Sequence, residues 1–203
     1  TAHSIHVRLP ARMEEGWGLR ITNEEGNYLE VFPVDGVYEN AVTLENAILY
    51  TQIFDQVDVQ YTIRDNQVKE DIILREPGEK HSFGYRFSNK EHDAVLENNT
   101  VIITEKDAGE DGEVLFYLTA PGMIDGAGAV SEAVTLELAE EKDFYLLQVI
   151  GDSDWLNEGE RVYPVKSDPT IHIPRGNLGI VTTSSVHGTY SSAAFGYVGL
   201  TDH

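Results

Sequence analysis

"YTIRDNQVKEDIILREP", residues 61–77, has the pattern of a β-hairpin. Before and inside this stretch, residues 57–63 alternate between apolar and polar side chains, which is the period of two that a β-strand shows. The dipeptide Asp65-Asn66 tolerates the left-handed conformation that a two-residue hairpin turn requires. A turn at that position pairs the two strands so that Tyr61 lies opposite Glu70.

The second strand of this hairpin carries three consecutive charges, Lys69, Glu70 and Asp71. The predicted register directs Lys69 and Asp71 to the polar face, where we expect them to be markedly more exposed than Glu70. Glu70 points to the apolar face, opposite Tyr61, and a carboxylate there needs partners because unpaired burial costs several kcal/mol. We expect a buried Glu70 that is hydrogen-bonded or ion-paired and fixes the register, with a general acid or base of raised pKa as the alternative.

The remainder of the chain is punctuated by turn signals between short alternating stretches, such as "HSFGYRFS" and "DAVLENNTVIITE". No sustained helical period appears, although "SDWLNEGER" fits one helical turn with Ser153 or Asp154 as its cap. Many short strands of this spacing predict an all-β fold, an antiparallel β-sandwich-like domain. Near Pro174 the chain becomes rich in Gly, Ser and Thr. We therefore predict a β-sandwich-like module at 1–171, and a linker with the opening strands of a second β unit or a tail at 172–203.

Composition narrows the classes of function. The 203 residues carry 35 acidic and 14 basic side chains, a net charge of −21, which argues against binding to nucleic acid or to an anionic membrane. There is no cysteine, which excludes disulfides, thiolate metal sites and a cysteine nucleophile. No apolar run is long enough to insert into a membrane. The first residue is Thr1, so we expect a module excised from a longer protein.

Two sets of residues are candidates for ligand binding. The loop "EKDAGEDGE" makes calcium the one cofactor to consider, because hard cations bind several loop oxygens, although the EF-hand spacing is absent and a solvated hairpin tip is the alternative. The metal candidates are Asp107, Glu110, Asp111 and Glu113. Exposed aromatic residues can stack on sugars, with packing in the core or at a corner as the alternative for Trp155. The carbohydrate candidates are Trp17, Trp155, Tyr190 and Tyr197.

No catalytic residue is predicted, because the sequence contains no H-E-x-x-H, G-x-S-x-G, Walker loop or G-x-G-x-x-G motif. A series of weaker motifs runs in order through residues 17–171. They include Val57-Asp58-Val59, Tyr61, Lys69-Glu70, Ile72, Leu74 and Pro77, then Phe83, Tyr85 and Phe87, then Ala120-Pro121, Met123, Asp125 and Gly126, and finally Trp155-Leu156, Arg161, Tyr163-Pro164-Val165 and Asp168-Pro169-Thr170.

This order resembles the region that precedes DNRLRE-type domains in large secreted bacterial surface proteins, wall-associated or with RHS repeats. The tail resembles the start of a DNRLRE-type domain. The resemblance implies an extracellular or cell-surface location in bacteria and a structural or presentation module that is not an enzyme. It implies structural roles for Lys69, Glu70 and Trp155. We expect structural roles for Tyr61, Arg161 and Asp168 as well.

Two other functions stay open beside the structural module. One is a carbohydrate-binding module, and the other is a hydrolase that uses Glu70. The expected partners are neighbouring domains of a longer protein that contains this chain, and a cell-wall or extracellular glycan. Neither nucleic acid nor membrane insertion is expected.

Overall fold

The computed structural model describes residues 6–10, 18–23, 25–36, 41–45, 47–64, 67–78, 81–109, 112–174 and 195–196. The first nine strands are β1 His6–Arg8, β2 Leu19–Thr22, β3 Tyr28–Pro33, β4 Ala41–Thr43, β5 Ala47–Phe54, β6 Val57–Arg64, β7 Gln67–Leu74, β8 Ser82–Ser88 and β9 His92–Glu97. The next nine are β10 Thr100–Glu105, β11 Val114–Thr119, β12 Met123–Ile124, β13 Val130–Ser131, β14 Thr135–Glu140, β15 Phe144–Ile150, β16 Val165–Ser167, β17 Thr170–Pro174 and β18 Phe195–Gly196. One short helix, α1 Ser153–Leu156, follows β15.

These strands form three antiparallel sheets, which confirms the predicted all-β class. A six-stranded sheet has the order β1-β2-β3-β8-β15-β14, and a seven-stranded sheet has the order β13-β12-β16-β7-β6-β5-β4. A five-stranded sheet has the order β18-β17-β11-β10-β9. Most neighbours in these sheets are also neighbours in sequence, as is usual for antiparallel β-folds.

The hairpin of β6 and β7 has the register that the sequence predicts. Tyr61 pairs with Glu70, Thr62 with Lys69 and Gln60 with Asp71. The two strands are separated by the dipeptide Asp65-Asn66, which lies outside the described residues. Period-two alternation and the length of the turn are therefore sufficient to fix this pairing.

The six-stranded and seven-stranded sheets pack face to face over one apolar core. The ring centroids of Phe54 on β5 and Phe83 on β8 are 5.4 Å apart across this interface. Strand β3 buries alternate residues, as expected for a strand with one face on a core, and β8 buries Phe83, Tyr85 and Phe87 together with Gly84. The hairpin thus lies at the centre of the sandwich, with its apolar face toward β8.

The five-stranded sheet is joined to the edge of the six-stranded sheet through Asn99. Asn98 and Asn99 form the turn between β9 and β10 and have positive φ angles of 47° and 59°. The Asn99 amide nitrogen donates to the Val134 carbonyl at 2.7 Å, and its side-chain oxygen accepts from the Leu136 amide at 2.7 Å. One side chain therefore extends the hydrogen bonding of β14, an edge strand.

The helical turn predicted at "SDWLNEGER" is present as α1, but its cap differs from the prediction. Asp152 is the N-cap, and its carboxylate accepts from the amides of Asp154 and Trp155. The boundary predicted after residue 171 falls within β17, which pairs with β11 and with β18. The division into two domains stays a prediction. Among the described residues, no helix is long and apolar enough to cross a membrane.

Candidate functional site

Glu70 is buried between the two packed sheets, as the sequence predicts. Its exposed fraction is 8%, and the Tyr61 hydroxyl donates a hydrogen bond of 3.0 Å to its Oε1. The Tyr85 hydroxyl donates to the same oxygen at 3.1 Å. Tyr61 belongs to the seven-stranded sheet and Tyr85 to the six-stranded sheet. The carboxyl group of Glu70 therefore accepts hydrogen bonds from both layers of the sandwich.

Burial dominates the protonation behaviour of this cluster. Desolvation raises the pKa of Glu70 to about 7, while the two tyrosine hydrogen bonds act in the opposite direction and the negative charges of Asp168 and Asp71 act in the same direction. Burial and the proximity of Glu70 also raise the pKa of Tyr61 and of Tyr85 well above the ordinary value. The tyrosines are therefore hydrogen-bond donors throughout the neutral range.

Two small cavities adjoin Glu70. The larger has a volume of about 20 Å³, enough for one water molecule, and the smaller about 10 Å³. Glu70, Pro169 and Ile171 line both of them. Apart from Glu70, the lining side chains are uncharged: Leu19, Ile21, Val31, Tyr61, Tyr85, Leu118, Thr119, Leu136, Leu147, Val149, Pro169 and Ile171. No polynucleotide or sugar fits beside Glu70 in these cavities.

On the opposite face of β7, Lys69 is more exposed than Glu70, as predicted, but the expected exposure of Asp71 is wrong. The exposed fraction of Asp71 is 5%. Its carboxylate lies 2.6 Å from Lys69 Nζ, and the same nitrogen lies 3.2 Å from Asp168. The physical reason is that Lys69 and the chain segment at Asp168 cover this part of the outer face.

Asp58 is a second buried carboxylate that strand parity places on the polar face. Its exposed fraction is 2%, and it accepts from the Gln52 amide at 2.8 Å and from Arg75 Nε at 2.6 Å. Gln52 has a positive φ of 52° and lies where the register of β5 and β6 shifts. Two features of the sequence indicate this site. Arg75 directly follows β7, the strand that pairs with β6, and β5 is long, with 8 residues.

Arg161 and Trp155 form the other polar cluster whose residues the sequence singles out. The Arg161 guanidinium lies 3.8 Å from the centroid of the Trp155 ring, and its Nε donates to the Trp155 carbonyl. Arg161 also pairs with Asp125 at 3.2 Å, and both side chains are almost fully buried. Backbone amides at residues 127, 129 and 162 also donate to Asp125. The arginine thus covers a face of Trp155 that sugar stacking would need.

The other predicted binding residues are only partly described. Trp17, Tyr190 and Tyr197 lie outside the described residues, as do Glu110 and Asp111. Asp107 has a positive φ of 59°, and its amide donates to Asp93 at 2.8 Å. In the described part of the chain, no group of three or more His, Asp or Glu side chains could hold a metal ion. The calcium site stays a prediction because half of its proposed ligands are outside this part.

Comparison with known proteins finds three curated relatives. They are the tRNA nuclease WapA of Bacillus subtilis, the tRNA(Glu)-specific nuclease WapA of Bacillus subtilis subsp. natto and the tRNA3(Ser)-specific nuclease WapA of Bacillus spizizenii. Each is 26% identical over 159 residues, which is 75% of this chain but 7% of the relative. No protein-family model and no solved structure matches the chain.

These findings correct several expectations from the sequence. The resemblance to the region before DNRLRE-type domains is wrong: no family model matches, and the relatives are named as tRNA nucleases. The same names overturn the interpretation as a structural module or a carbohydrate-binding module, the expectation that there is no enzyme and the exclusion of a nucleic-acid partner. The charge and motif arguments failed because they consider only the present chain, and it spans 7% of each relative.

Tyr85 and Asp58 are the residues of these buried clusters that sequence reasoning missed. Tyr85 alternates with Phe83 and Phe87, both apolar and both buried. A tyrosine in such a position carries a hydroxyl that needs a partner. The Tyr85 hydroxyl needs a hydrogen-bond acceptor and the Glu70 carboxyl needs a donor. These two needs together could have indicated the contact between them.

Proposed function

We propose that this chain is a segment of a much larger bacterial protein that cleaves tRNA. The observation that carries the proposal is the similarity to three proteins whose names state nuclease activity on tRNA. Because the chain spans 7% of each relative, the proposal concerns the activity of the whole protein. The β-sandwich is one part of that larger protein.

The choice of tRNA is proposed to lie outside this segment. Two of the relatives are named for different tRNAs, tRNA(Glu) and tRNA3(Ser), yet both match the chain at 26% identity over 159 residues. A segment that selected the tRNA would be expected to favour one of them over the other. The equal similarity therefore supports a role that is common to both proteins.

Glu70 is unsuited to contact a phosphodiester, because it is enclosed by tyrosines and apolar side chains. The cavities beside it hold about one water molecule, which leaves no room for a nucleotide. The proposed cleavage therefore does not use Glu70.

The test is incubation of the full-length protein with total tRNA, followed by electrophoresis and hybridisation to individual tRNAs. We expect discrete cleavage of one tRNA or one group of isoacceptors. The Glu70→Gln variant of the full-length protein is expected to retain the cleavage rate within about twofold, since its packing is nearly isosteric. Absence of cleavage by a folded full-length protein, while a control ribonuclease cuts the same tRNA, would overturn the proposal.

We also propose that the protein lies outside the bacterial cell or at its surface. The support is the similarity, over 75% of this chain, to three bacterial proteins named WapA. Fractionation of a culture of the source bacterium, with an antibody against this segment, tests the location. Detection in the medium or on intact cells is expected, and detection confined to the cytoplasmic fraction would contradict it.

A further inference from the structure

The Tyr61–Glu70–Tyr85 cluster, called the carboxyl lock from here on, is a polar group within an otherwise apolar interface. Two strands of different sheets, β6 and β8, each supply one hydroxyl to the same oxygen of Glu70. The other elements that line the surrounding cavities present apolar or neutral side chains. The negative charges of Asp71 and Asp168 act on Glu70, and the Lys69 ammonium is paired with both of these carboxylates.

One chain segment closes the carboxyl lock. Pro169 directly precedes β17 and Ile171 is the second residue of that strand, and both line the two cavities beside Glu70. The residue before this segment, Asp168, is held by Lys69 at 3.2 Å. Strand β17 then pairs with β11 of the five-stranded sheet. Access of water to Glu70 therefore depends on the placement of this segment.

We propose that the carboxyl lock is a pH-sensitive latch: protonated Glu70 holds the two sheets and the segment of Pro169 and Ile171 together, and loss of the proton releases that segment and the start of β17. The proton passes to solvent and no other bond changes. The latch couples the pH of the surroundings to the attachment of β17, which is a strand of the five-stranded sheet.

Loss of the proton is expected to release the segment because protonated and ionised Glu70 differ in the solvation that they require. The hydroxyls of Tyr61 and Tyr85 donate to Oε1 and act in favour of the ionised form, but two hydrogen bonds do not replace the water that a full negative charge loses in an apolar interface. A carboxylate there needs further donors or water, whereas the neutral form carries no charge to solvate. The cavities admit about one water molecule, which is too few for a hydrated carboxylate. Displacing Pro169 and Ile171 supplies the missing water. Burial raises the pKa of Glu70 to about 7, so the transition falls near neutral pH.

The like charge of Asp168 strengthens this coupling. Asp168 precedes the segment and raises the pKa of Glu70 by its negative charge. Asp168 itself is paired with Lys69, whose Nζ lies 3.2 Å from its carboxylate. The release is expected to be local, because Lys69 keeps Asp168 attached as Pro169 and Ile171 move.

Hydrogen exchange followed by mass spectrometry tests the latch on the full 203-residue chain. Protection factors, corrected for the intrinsic pH dependence of exchange, are measured from about pH 5.5 to about pH 8.5. We expect protection of β17 amides to fall by about tenfold or more over this range. Amides of β9, whose fraying leaves Glu70 covered, are expected to keep their protection within about twofold.

The Glu70→Gln variant keeps a neutral group of the same shape, so the protection of β17 is expected to be independent of pH. The Glu137→Gln variant removes an exposed carboxylate on β14 and is expected to behave as the parent chain does. A pH-independent β17 in the parent chain, an equal fall in β9, or an unchanged pH response in Glu70→Gln would overturn the latch.

If Glu70→Gln does not fold, a second variant tests the latch. Tyr85→Phe removes one donor that favours the ionised form, so the midpoint of the transition in β17 is expected to move to higher pH. The parent chain and Tyr85→Phe are then sufficient. A midpoint that stays in place or moves to lower pH would contradict the role of Glu70.

Discussion

Tyr85 on β8 donates a hydrogen bond of 3.1 Å to Glu70 on β7, and this bond joins the two sheets of the sandwich. Tyr61, directly opposite Glu70 on β6, donates to the same oxygen at 3.0 Å. A buried carboxyl group with two donors is satisfied only when strand register and sheet packing are both correct. The arrangement therefore favours one alignment of the hairpin and one alignment of the layers.

Glu70→Ala is expected to lower the free energy of unfolding by about 1–3 kcal/mol, because it leaves the hydroxyls of Tyr61 and Tyr85 buried without an acceptor. Chemical denaturation near pH 5.5, where Glu70 is neutral, measures the loss. Glu137→Ala, an exposed change on β14, is the control and is expected to stay within about 0.5 kcal/mol. Equal effects of the two substitutions would contradict the structural importance of Glu70.

The stability of the chain is expected to carry a specific pH dependence from Glu70. Its pKa is raised from 4.5 to about 7 in the folded state, so the folded chain binds the proton more tightly than the unfolded chain. Its contribution is fully present below pH 4.5 and is lost as the pH rises to about 7. The shift corresponds to about 3 kcal/mol.

The measurement for this prediction is the difference in the free energy of unfolding between the parent chain and Glu70→Gln. The chain has 35 Asp and Glu residues, and the Glu70→Gln variant keeps the other 34. Subtraction therefore removes the contribution of those 34 acidic groups. The difference is expected to change by about 3 kcal/mol in favour of the variant between about pH 4.5 and about pH 7. A difference that is constant with pH would show that Glu70 titrates normally.

The sequence predicts those features that depend on neighbouring residues. The hairpin register follows from alternation and a two-residue turn, and the burial of Glu70 follows from its parity with Ile72 and Leu74. These are local relationships within two adjacent strands. Period-two patterns specify which face a side chain occupies, and that was sufficient for Glu70.

The features that the sequence did not predict depend on contacts between distant parts of the chain. Tyr85 reaches Glu70 only because the six-stranded sheet packs on the hairpin. Asp71 is buried because Asp168 approaches Lys69 from the loop before β17. Alternation assigns Asp71 to the outer face, but it does not show that other residues cover that face.

Lys69→Ala tests this revised view of the outer face. As an exposed strand residue, Lys69 is expected from the sequence to contribute no more than about 0.5 kcal/mol. The structure changes the expectation to a loss of about 1–3 kcal/mol, because the buried carboxylate of Asp71 loses its cation. Lys166→Ala, on the exposed side of the adjacent strand β16, is the control in thermal and chemical denaturation. If Lys69→Ala and Lys166→Ala lowered the free energy of unfolding equally, Lys69 would behave as an ordinary exposed strand residue.

Arg161→Ala is expected to lower the free energy of unfolding by about 3 kcal/mol, since Asp125 is buried and loses its charged partner while three backbone donors remain. Denaturation followed by tryptophan fluorescence is suitable, because Arg161 lies against the Trp155 ring. Glu158→Ala removes the exposed partner of Arg161 and is expected to cost no more than about 0.5 kcal/mol. A loss below 1 kcal/mol in Arg161→Ala would contradict the proposed importance of the buried pair.

Asn98 and Asn99 offer a matched pair of substitutions, because both have positive φ angles, 47° and 59°, and only Asn99 bonds to β14 through its side chain. Glycine accepts these backbone angles without strain, so replacement by glycine isolates the side-chain contribution. Asn99→Gly is expected to cost about 1–3 kcal/mol, since it removes the partners of the Val134 carbonyl and the Leu136 amide.

Asn98→Gly, by contrast, is expected to change the free energy of unfolding by no more than about 0.5 kcal/mol, because Asn98 is exposed and makes no such bond. Hydrogen exchange at the Leu136 amide provides a local reading beside chemical denaturation. Faster exchange there in Asn99→Gly but not in Asn98→Gly would locate the loss at the junction of the two sheets. Equal exchange in both variants would mean that the junction is held by apolar packing, and that the Asn99 side chain adds little to it.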